Sequence, residues 1–344
     1  MDNLAHSLVG AAVGRAVGGD RVPYPAVLGA IAANAPDWTE AFTGWPWPGA
    51  LYLTEHRGIT HALIGCVVQI VVLTLLVGGG LAWRRGRDAP WGAVLAVIAA
   101  AVASHPLMDW QGSYGVRPFL PWSDRWYYGD FVAIADPIYW IVPWVALAWG
   151  SRRHWRPALG FALVLIPPTV LLLRLDFPAT WLKAAWLVIA LIGIAGWTPH
   201  WFGVAGRRRA AAWALGLVAL YAAAQAIAVA PVTRAIRDTA VARFGPDAQW
   251  AALTRVGHPF TWQPVYASDD TVAGPDWALP RHLDLPPVQR VIAGTRDGRA
   301  MAGFARFLVA RVESDDGGTV VRLLDARYAR RGDEGWGVVV VPVD

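Results

Sequence analysis

Long apolar runs separated by short polar breaks fill roughly the first two thirds of the chain. Two short, Ala/Gly-rich runs at 4–18 and 22–36 flank a break at Gly18–Pro23. As helices they would each be roughly 20–23 Å long, short of a 30 Å hydrocarbon core. They predict either thin, tilted spans or a helical hairpin. Six longer runs predict further helices, so the pattern indicates six spans plus a hairpin, or eight spans; these runs lie at about 59–83, 89–109, 130–149, 155–174, 179–197 and 209–230.

The pattern changes at Pro231. The tail is polar and punctuated by Pro and Gly, and it ends with strand-like runs at 305–313, 319–328 and 336–343, the first two joined by a hairpin-type sequence at 315–318. The predicted fold class is therefore an all-α polytopic membrane domain of about eight segments over residues 1–230. A small α+β or β extracytoplasmic domain over residues 231–344 is expected to follow it.

Composition strengthens the membrane prediction. The chain is 56% hydrophobic and only 16% charged, whereas a soluble domain carries about 25% charged residues. A soluble bundle of buried helices is the alternative, but these runs lack the polar faces that it needs. No basic patch is interleaved with aromatic residues, so nucleic acid is not an expected partner. The single cysteine, Cys66, lies inside an apolar run, which excludes a disulfide framework and a thiolate metal site.

Arginines predict the orientation. If every segment crosses the membrane, the arginines of the hairpin tip and of three interhelical loops fall on one side. The positive-inside rule makes that side cytoplasmic. These arginines are Arg15, Arg21, Arg84, Arg85, Arg87, Arg152, Arg153 and Arg207–Arg209. The predicted location is thus the inner (cytoplasmic) membrane, multi-pass. The N-terminus, the tail and the candidate ligands described next are expected on the extracytoplasmic side.

Metal-capable side chains gather at the ends of the early runs. His56 and His61 bracket the sequence HRGITH, while His105 and Asp109 are four residues apart and share one helical face. Taken singly, each could be an interfacial polar residue or a helix cap. Taken together, four imidazoles and two carboxylates at one membrane face suit zinc, manganese or iron, and they are enough for a two-metal site; the set is His6, Asp37, His56, His61, His105 and Asp109.

Arginines near these ligands could bind an anion. Arg57, Arg117 and Arg125 could hold a phosphate or carboxylate in bidentate fashion. The alternative is that the loop arginines pair with Asp124 and Asp130 and make the loop rigid. Asp136, just before Pro137, needs a partner, for which a metal, Arg117 or a helix end are the candidates.

These motifs resemble the YdjM-like family of membrane-bound metal-dependent hydrolases. The likeness covers about residues 1–140 and rests on His6, Pro36-Asp37, HRGITH at 56–61, SHPLMDW at 104–110, SYGVRPFLPWSDRWYYGD at 113–130 and Ala135-Asp136-Pro137. The resemblance implies a hydrolase that uses the six residues above as metal ligands. It also implies a distant likeness to the zinc-dependent phospholipase C and nuclease group, hence phosphoester substrates. Thr39 stands where the family often has a second acid, so either the neighbouring Glu40 substitutes or one ligand position is lost.

The leading functional prediction is a hydrolase that acts on a phosphoester or other lipid-linked ester at the outer membrane face. One or two divalent ions, zinc first, would activate water, and Asp130 or Glu40 would act as general base. A metal-independent lipid phosphatase using a phosphohistidine is an alternative, but its Lys/Arg-rich motif and its Ser-Gly-His element are missing. A transporter or structural protein is another, although its polar residues should lie deep inside the helices and not at their ends.

Overall fold

The computed structural model describes residues 1–39, 50–85, 89–150, 155–195, 204–315, 318–330 and 337–343. They form two compact units. The first comprises Met1–Pro36, Ile59–Ala228 and Thr254–Thr261, and the second comprises Asp37–Gly58, Val229–Leu253 and Trp262–Asp344. The first unit is helical, and the second contains the β-sheets.

Apolar helices build the first unit, and each overlaps one of the predicted runs. They are α1 (Asn3–Gly18), α2 (Pro25–Ala33), α4 (Leu63–Arg85), α5 (Trp91–Trp110), α6 (Pro137–Gly150), α7 (Trp155–Arg174), α8 (Thr180–Ala195) and α9 (Val204–Phe244), which continues into the second unit. Among the described residues, three helices are long and apolar enough to cross a membrane, and they lie at 63–84, 91–110 and 206–244. Large side chains of α6, α7 and α8, including Trp144, Leu172 and Trp186, pack with Leu8 of α1 into one buried cluster.

Two predicted boundaries were wrong. The run at 130–149 becomes helical only at Pro137, because proline fixes φ near the helical value but lacks an N–H, which suits the first turn of a helix. The run at 209–230 does not end there, since α9 is a 41-residue helix that contains Pro231. The following sequence, rich in Ala and Arg, favours helix strongly enough to continue past the single missing hydrogen bond.

Glycines bring α1 and α2 into close contact. A Cβ at Gly14 would lie 1.9 Å from the carbonyl oxygen of Pro25, and one at Gly29 would lie 2.1 Å from that of Gly10. Only hydrogen-sized groups fit there, so the two helix backbones touch. This contact fixes where the first and last turns of the hairpin lie, and these turns carry His6 and Ala33.

The second unit combines two antiparallel sheets with short helices. Strands β1 (Gln249–Thr254), β2 (Trp262–Ala267), β3 (Thr271–Ala273) and β4 (Ala278–Pro280) form one sheet, and β5 (Leu308–Asp315), β6 (Gly318–Asp325) and β7 (Val338–Val343) form the other. The three predicted strands correspond to β5, β6 and β7. Pairing of Asp315 with Gly318 gives β5 and β6 the expected hairpin register, while Asp316 and Gly317 of the predicted turn lie outside the described residues.

Helices and a buried cluster complete the second unit. Its helices are α3 (Ala50–Glu55), α10 (Pro286–Gly294) and α11 (Arg296–Phe304), and α3 packs against α11. Both sheets contribute to one core that includes Val265, Phe307, Leu324 and Val338. The segment before HRGITH therefore folds with the tail.

We expect Gly14→Ala to destabilise the protein because the added methyl group would overlap the carbonyl of Pro25. Overpacking of this kind typically costs about 1–3 kcal/mol. Thermal unfolding of the detergent-purified protein measures it. Gly79→Ala is the matched control, because nothing lies within 4 Å of a Cβ at this position of α4. Equal unfolding midpoints for the two variants would contradict the close helix contact.

Candidate metal centre

His6 is held at the buried end of α1. Asp2 caps this helix by accepting a hydrogen bond from the backbone N–H of Ala5 at 3.0 Å. The His6 side chain is fully buried, and its ring stacks on that of His105 with the centroids 3.7 Å apart. Its Nε2 lies 3.3 Å from Oδ1 of Asp109. The α-amino group of Met1 also contacts Asp109, so this carboxylate already lies beside a cation.

His105 and Asp109 point from one face of α5 into the same place. Nδ1 of His105 lies 2.6 Å from the carbonyl oxygen of Ala33. Since a carbonyl can only accept, Nδ1 must carry a proton, which in the neutral ring leaves the lone pair on Nε2. That Nε2 lies 3.4 Å from Oδ2 of Asp109. The imidazole is thus fixed in the tautomer that binds a metal through Nε2.

His61 completes the cluster from the short 3₁₀ helix Ile59–His61. Its Nε2 lies 3.0 Å from Nε2 of His105 and 3.4 Å from Oδ2 of Asp109. The turn is held against the start of α4, where a Cβ at Gly65 would lie 1.8 Å from the carbonyl oxygen of Ile59. Gln69 also donates a hydrogen bond to the carbonyl of Thr60 at 2.7 Å. The second histidine of HRGITH therefore faces the same point as the SHPLMDW pair.

His6, His105 and Asp109 form a group that could hold a divalent metal, and His61 contacts two of its members. Ligand atoms bound to one zinc ion at about 2.0–2.1 Å in tetrahedral geometry lie about 3.3 Å apart, and the distances above run from 3.0 to 3.4 Å. His6, His105 and Asp109 each offer a ligand atom within 4.8 Å of the others. In addition, Nδ1 of His6 is buried and has no hydrogen-bond partner among the described residues. This buried His/Asp cluster could hold a metal ion.

The other predicted ligands lie in the second unit. Asp37 is buried in the 3₁₀ helix Ala35–Thr39. His56 follows α3, and its ring stacks on that of Tyr52 with centroids 4.7 Å apart. Arg57, the predicted anion ligand beside it, is buried. Their assignment to the metal centre stays a prediction, and Glu40, the predicted substitute ligand or base, lies outside the described residues.

Aromatic rings support the arginines of the loop after α5. Val116 and Tyr127 form an isolated antiparallel bridge that closes this loop. The guanidinium of Arg117 lies 4.6 Å from the ring centroid of Trp126, and that of Arg125 lies 5.4 Å from that of Tyr127. Stacking uses the face of a guanidinium, whereas its N–H edge is the part that binds phosphate or carboxylate.

Asp130 follows a tight backbone contact. It is buried and has a positive φ of 58°, which aspartate tolerates better than most residues. The preceding Gly129 has no room for a side chain, since a Cβ there would lie 2.5 Å from the carbonyl oxygen of Trp110. The turn therefore places the backbone just before Asp130 against Trp110, the last residue of α5. Trp110 directly follows Asp109 in the sequence. Its predicted role as a base is not tested by this placement.

Asp136 finds its partners at a helix end and on α9. Its carboxylate accepts hydrogen bonds from the N–H of Ile138 at 2.9 Å and from the hydroxyl of Tyr221 at 2.7 Å. A helix end was among the candidate partners, but Tyr221 was missed. The only sequence signal for this partner is that Tyr221 and Gln225, four residues apart, are polar residues within an apolar run. Burial raises the pKa of Asp136 to about 6, although both hydrogen bonds lower it.

Comparison with known proteins identifies the N-terminal part of the chain. The family model for the YdjM inner membrane protein matches residues 1–177, which includes α1 to α7 and every candidate ligand. Neither the curated proteins nor the solved structures give a match.

We expect the purified protein to contain about one to two equivalents of zinc, manganese or iron. His105→Ala should lose most of it, because the substitution removes both a ligand and the hydrogen bond to Ala33. Elemental mass spectrometry measures the content. His282→Asn is the control, since His282 is exposed and its positive φ of 51° suits Asn. Metal retained in His105→Ala at the control level would rule out the cluster as the binding site.

The stability difference between wild type and Asp136→Asn should depend on pH. A carboxyl whose pKa is raised to about 6 in the folded state holds its proton more tightly there than in the unfolded chain. Wild type should therefore lose stability relative to the variant as pH rises from about 4 to 6, by up to about 3 kcal/mol. Thermal unfolding between pH 4 and 8 tests this. A constant difference over that range would show that the buried carboxyl does not titrate as proposed.

Proposed function

The chain belongs to the YdjM inner membrane protein family, and from this premise we propose that it is a membrane-bound metal-dependent hydrolase that acts on a phosphoester or lipid-linked ester. The observation that carries the proposal is the buried convergence of His6, His61 and His105 on Asp109. Buried polar groups of this kind are costly unless they are paired or bind a metal. Structural packing alone would not require four of them at one point.

These residues would act as the metal ligands, with zinc as the first choice. A bound zinc ion would lower the pKa of a coordinated water toward about 7 and polarise the scissile centre. The protein's own part is to orient the imidazoles and to keep them away from bulk solvent. The carbonyl of Ala33 does this for His105, and stacking on His105 does it for His6. Asp37 and His56 are proposed as further ligands on sequence grounds.

Anion binding is the proposed role of Arg57, Arg117 and Arg125. The guanidinium groups of Arg117 and Arg125 lie over the rings of Trp126 and Tyr127, and a guanidinium held in place favours bidentate binding of a phosphate. A carboxylate outside the ligand set would accept the proton of the attacking water. Asp130 and Glu40 are the candidates for this role, and Asp130 follows the loop that carries both arginines.

The proposed location of the site is the outer face of the inner membrane. Support comes from the arginine-rich loops, which the positive-inside rule assigns to the cytoplasm. A substrate drawn from the membrane, either a lipid or a lipid-linked molecule, follows from that location. The described His/Asp cluster lies at helix ends and not midway along a span, which favours chemistry at the membrane surface over transport through the bundle.

Hydrolysis of model phosphoesters tests the function. We expect the zinc-loaded protein to hydrolyse p-nitrophenyl phosphate, its bis-ester or a phospholipid. His61→Ala should lower kcat by at least about 100-fold, because a ligand is lost. A chelator should abolish the activity and added zinc should restore it. His282→Asn should behave like wild type.

A second variant separates substrate binding from metal binding. Arg117→Gln should keep its metal but lower kcat/KM by about 10–100-fold, as expected when a bidentate charged contact of about 1.5–3 kcal/mol is removed. Arg117→Lys should recover part of the loss, since a point charge remains. Turnover that persists in His61→Ala and in the presence of chelator would point to the metal-independent phosphatase instead.

A further inference from the structure

A cavity of about 640 Å³ lies between α6, α8 and α9 of the first unit. Its walls are aliphatic and aromatic, with Val142 and Trp149 from α6, Ile192 from α8, and Ala214 and Leu217 from α9. Its volume falls within the range of about 300–1,000 Å³ that is typical of small-ligand sites. Because the lining is apolar, the occupant must be apolar over most of its length.

One end of the cavity is basic. Arg209 is the charged residue among those described in the lining, and it follows Arg207 and Arg208 near the start of α9. From Arg209 to Leu217 the cavity runs along about two turns of helix, roughly 12 Å. It is therefore an apolar slot with a guanidinium at one end.

Arg15 and Arg208 donate hydrogen bonds to other helices, whereas Arg209 donates none in the described part of the chain. Arg15 donates a hydrogen bond to the carbonyl of Leu147 at 2.8 Å, and Arg208 donates one to the carbonyl of Ala16 at 2.7 Å. These two bonds connect α1 to α6 and to α9. In the described part of the chain, Arg209 makes neither an ion pair nor a hydrogen bond with the protein. A cation at the mouth of an apolar slot between helices is the arrangement that binds an anionic lipid headgroup.

We propose that this cavity binds an anionic phospholipid, with one acyl chain between α6, α8 and α9 and the phosphate on Arg209. An acyl chain in a bilayer is already in apolar surroundings, so the slot gives the lipid a position but not selectivity. The guanidinium supplies the selectivity for negative charge. The residues described in the lining include none of the candidate metal ligands, so the lipid site is distinct from the metal centre. It stands whether or not the protein is a hydrolase.

Native mass spectrometry of the full chain in detergent tests the charge selectivity. The protein is given phosphatidylglycerol or phosphatidylcholine with identical acyl chains at equal concentration. We expect wild type to retain phosphatidylglycerol about fivefold better, the ratio for one arginine near an anionic headgroup. Arg209→Gln should bring the ratio close to one, and Arg209→Lys should keep it. Arg234→Gln, at an exposed position of α9 outside the lining, should behave like wild type.

A second pair of variants tests the slot itself. Ala210→Leu adds volume inside the cavity and should lower retention of both lipids. Gly216→Leu, on the same helix, has nothing within 4 Å of an added Cβ and should leave retention unchanged. Circular dichroism confirms that each variant is folded. Equal retention of the two lipids by wild type, or wild-type retention in both Arg209→Gln and Ala210→Leu, would show non-selective boundary lipid and overturn the proposal.

Discussion

The described His/Asp cluster depends on one hydrogen bond, from Nδ1 of His105 to the carbonyl of Ala33. The last carbonyls of a helix have no partner within it, and Ala33 is the last residue of α2. A helix end thus supplies the acceptor that sets the tautomer of a candidate ligand on another helix. The acceptor is in place only because α1 and α2 touch through Gly14 and Gly29. Gly14 and Gly29, which are not candidate ligands, therefore help to determine which nitrogen of His105 faces Asp109.

Asp136 shows a related constraint, in which an ionisable group buried among helices needs several donors. Tyr221 of α9 and the start of α6 supply them, so the carboxylate connects two helices that are distant in sequence. Gln225, one turn after Tyr221, accepts a hydrogen bond from the N–H of Phe260 at 2.9 Å. The hydroxyl of Ser113 does the same for the N–H of Thr254 at 3.2 Å. Polar side chains of the first unit thereby satisfy two backbone N–H groups of residues 254–261, the part of the tail that belongs to this unit.

Local patterns predicted the helical segments, the change of composition after the apolar runs and the three last strands, because each depends on periodicity that the chain shows within a few residues. The spacing of His105 and Asp109 also placed both on one face of α5. Tertiary partners were beyond such patterns. The carbonyl of Ala33 has no side-chain signature, and Tyr221 could be matched to Asp136 only through long-range packing. The continuation of α9 through Pro231 was missed because the local penalty of proline was outweighed by the sequence that follows.

The discontinuity of the second unit has a consequence for biosynthesis. Helix α3, at 50–55, packs against α11, at 296–304. At a translation rate of about 5–20 residues per second, α3 leaves the ribosome roughly ten seconds or more before its partner exists. During that interval the apolar helices that follow must be inserted while α3 still lacks its surface for packing. Helix α3, a few residues before Ile59-Thr60-His61, can therefore complete its packing only after almost the whole chain has been made. Packing of the second unit is therefore one of the last steps in the maturation of the protein.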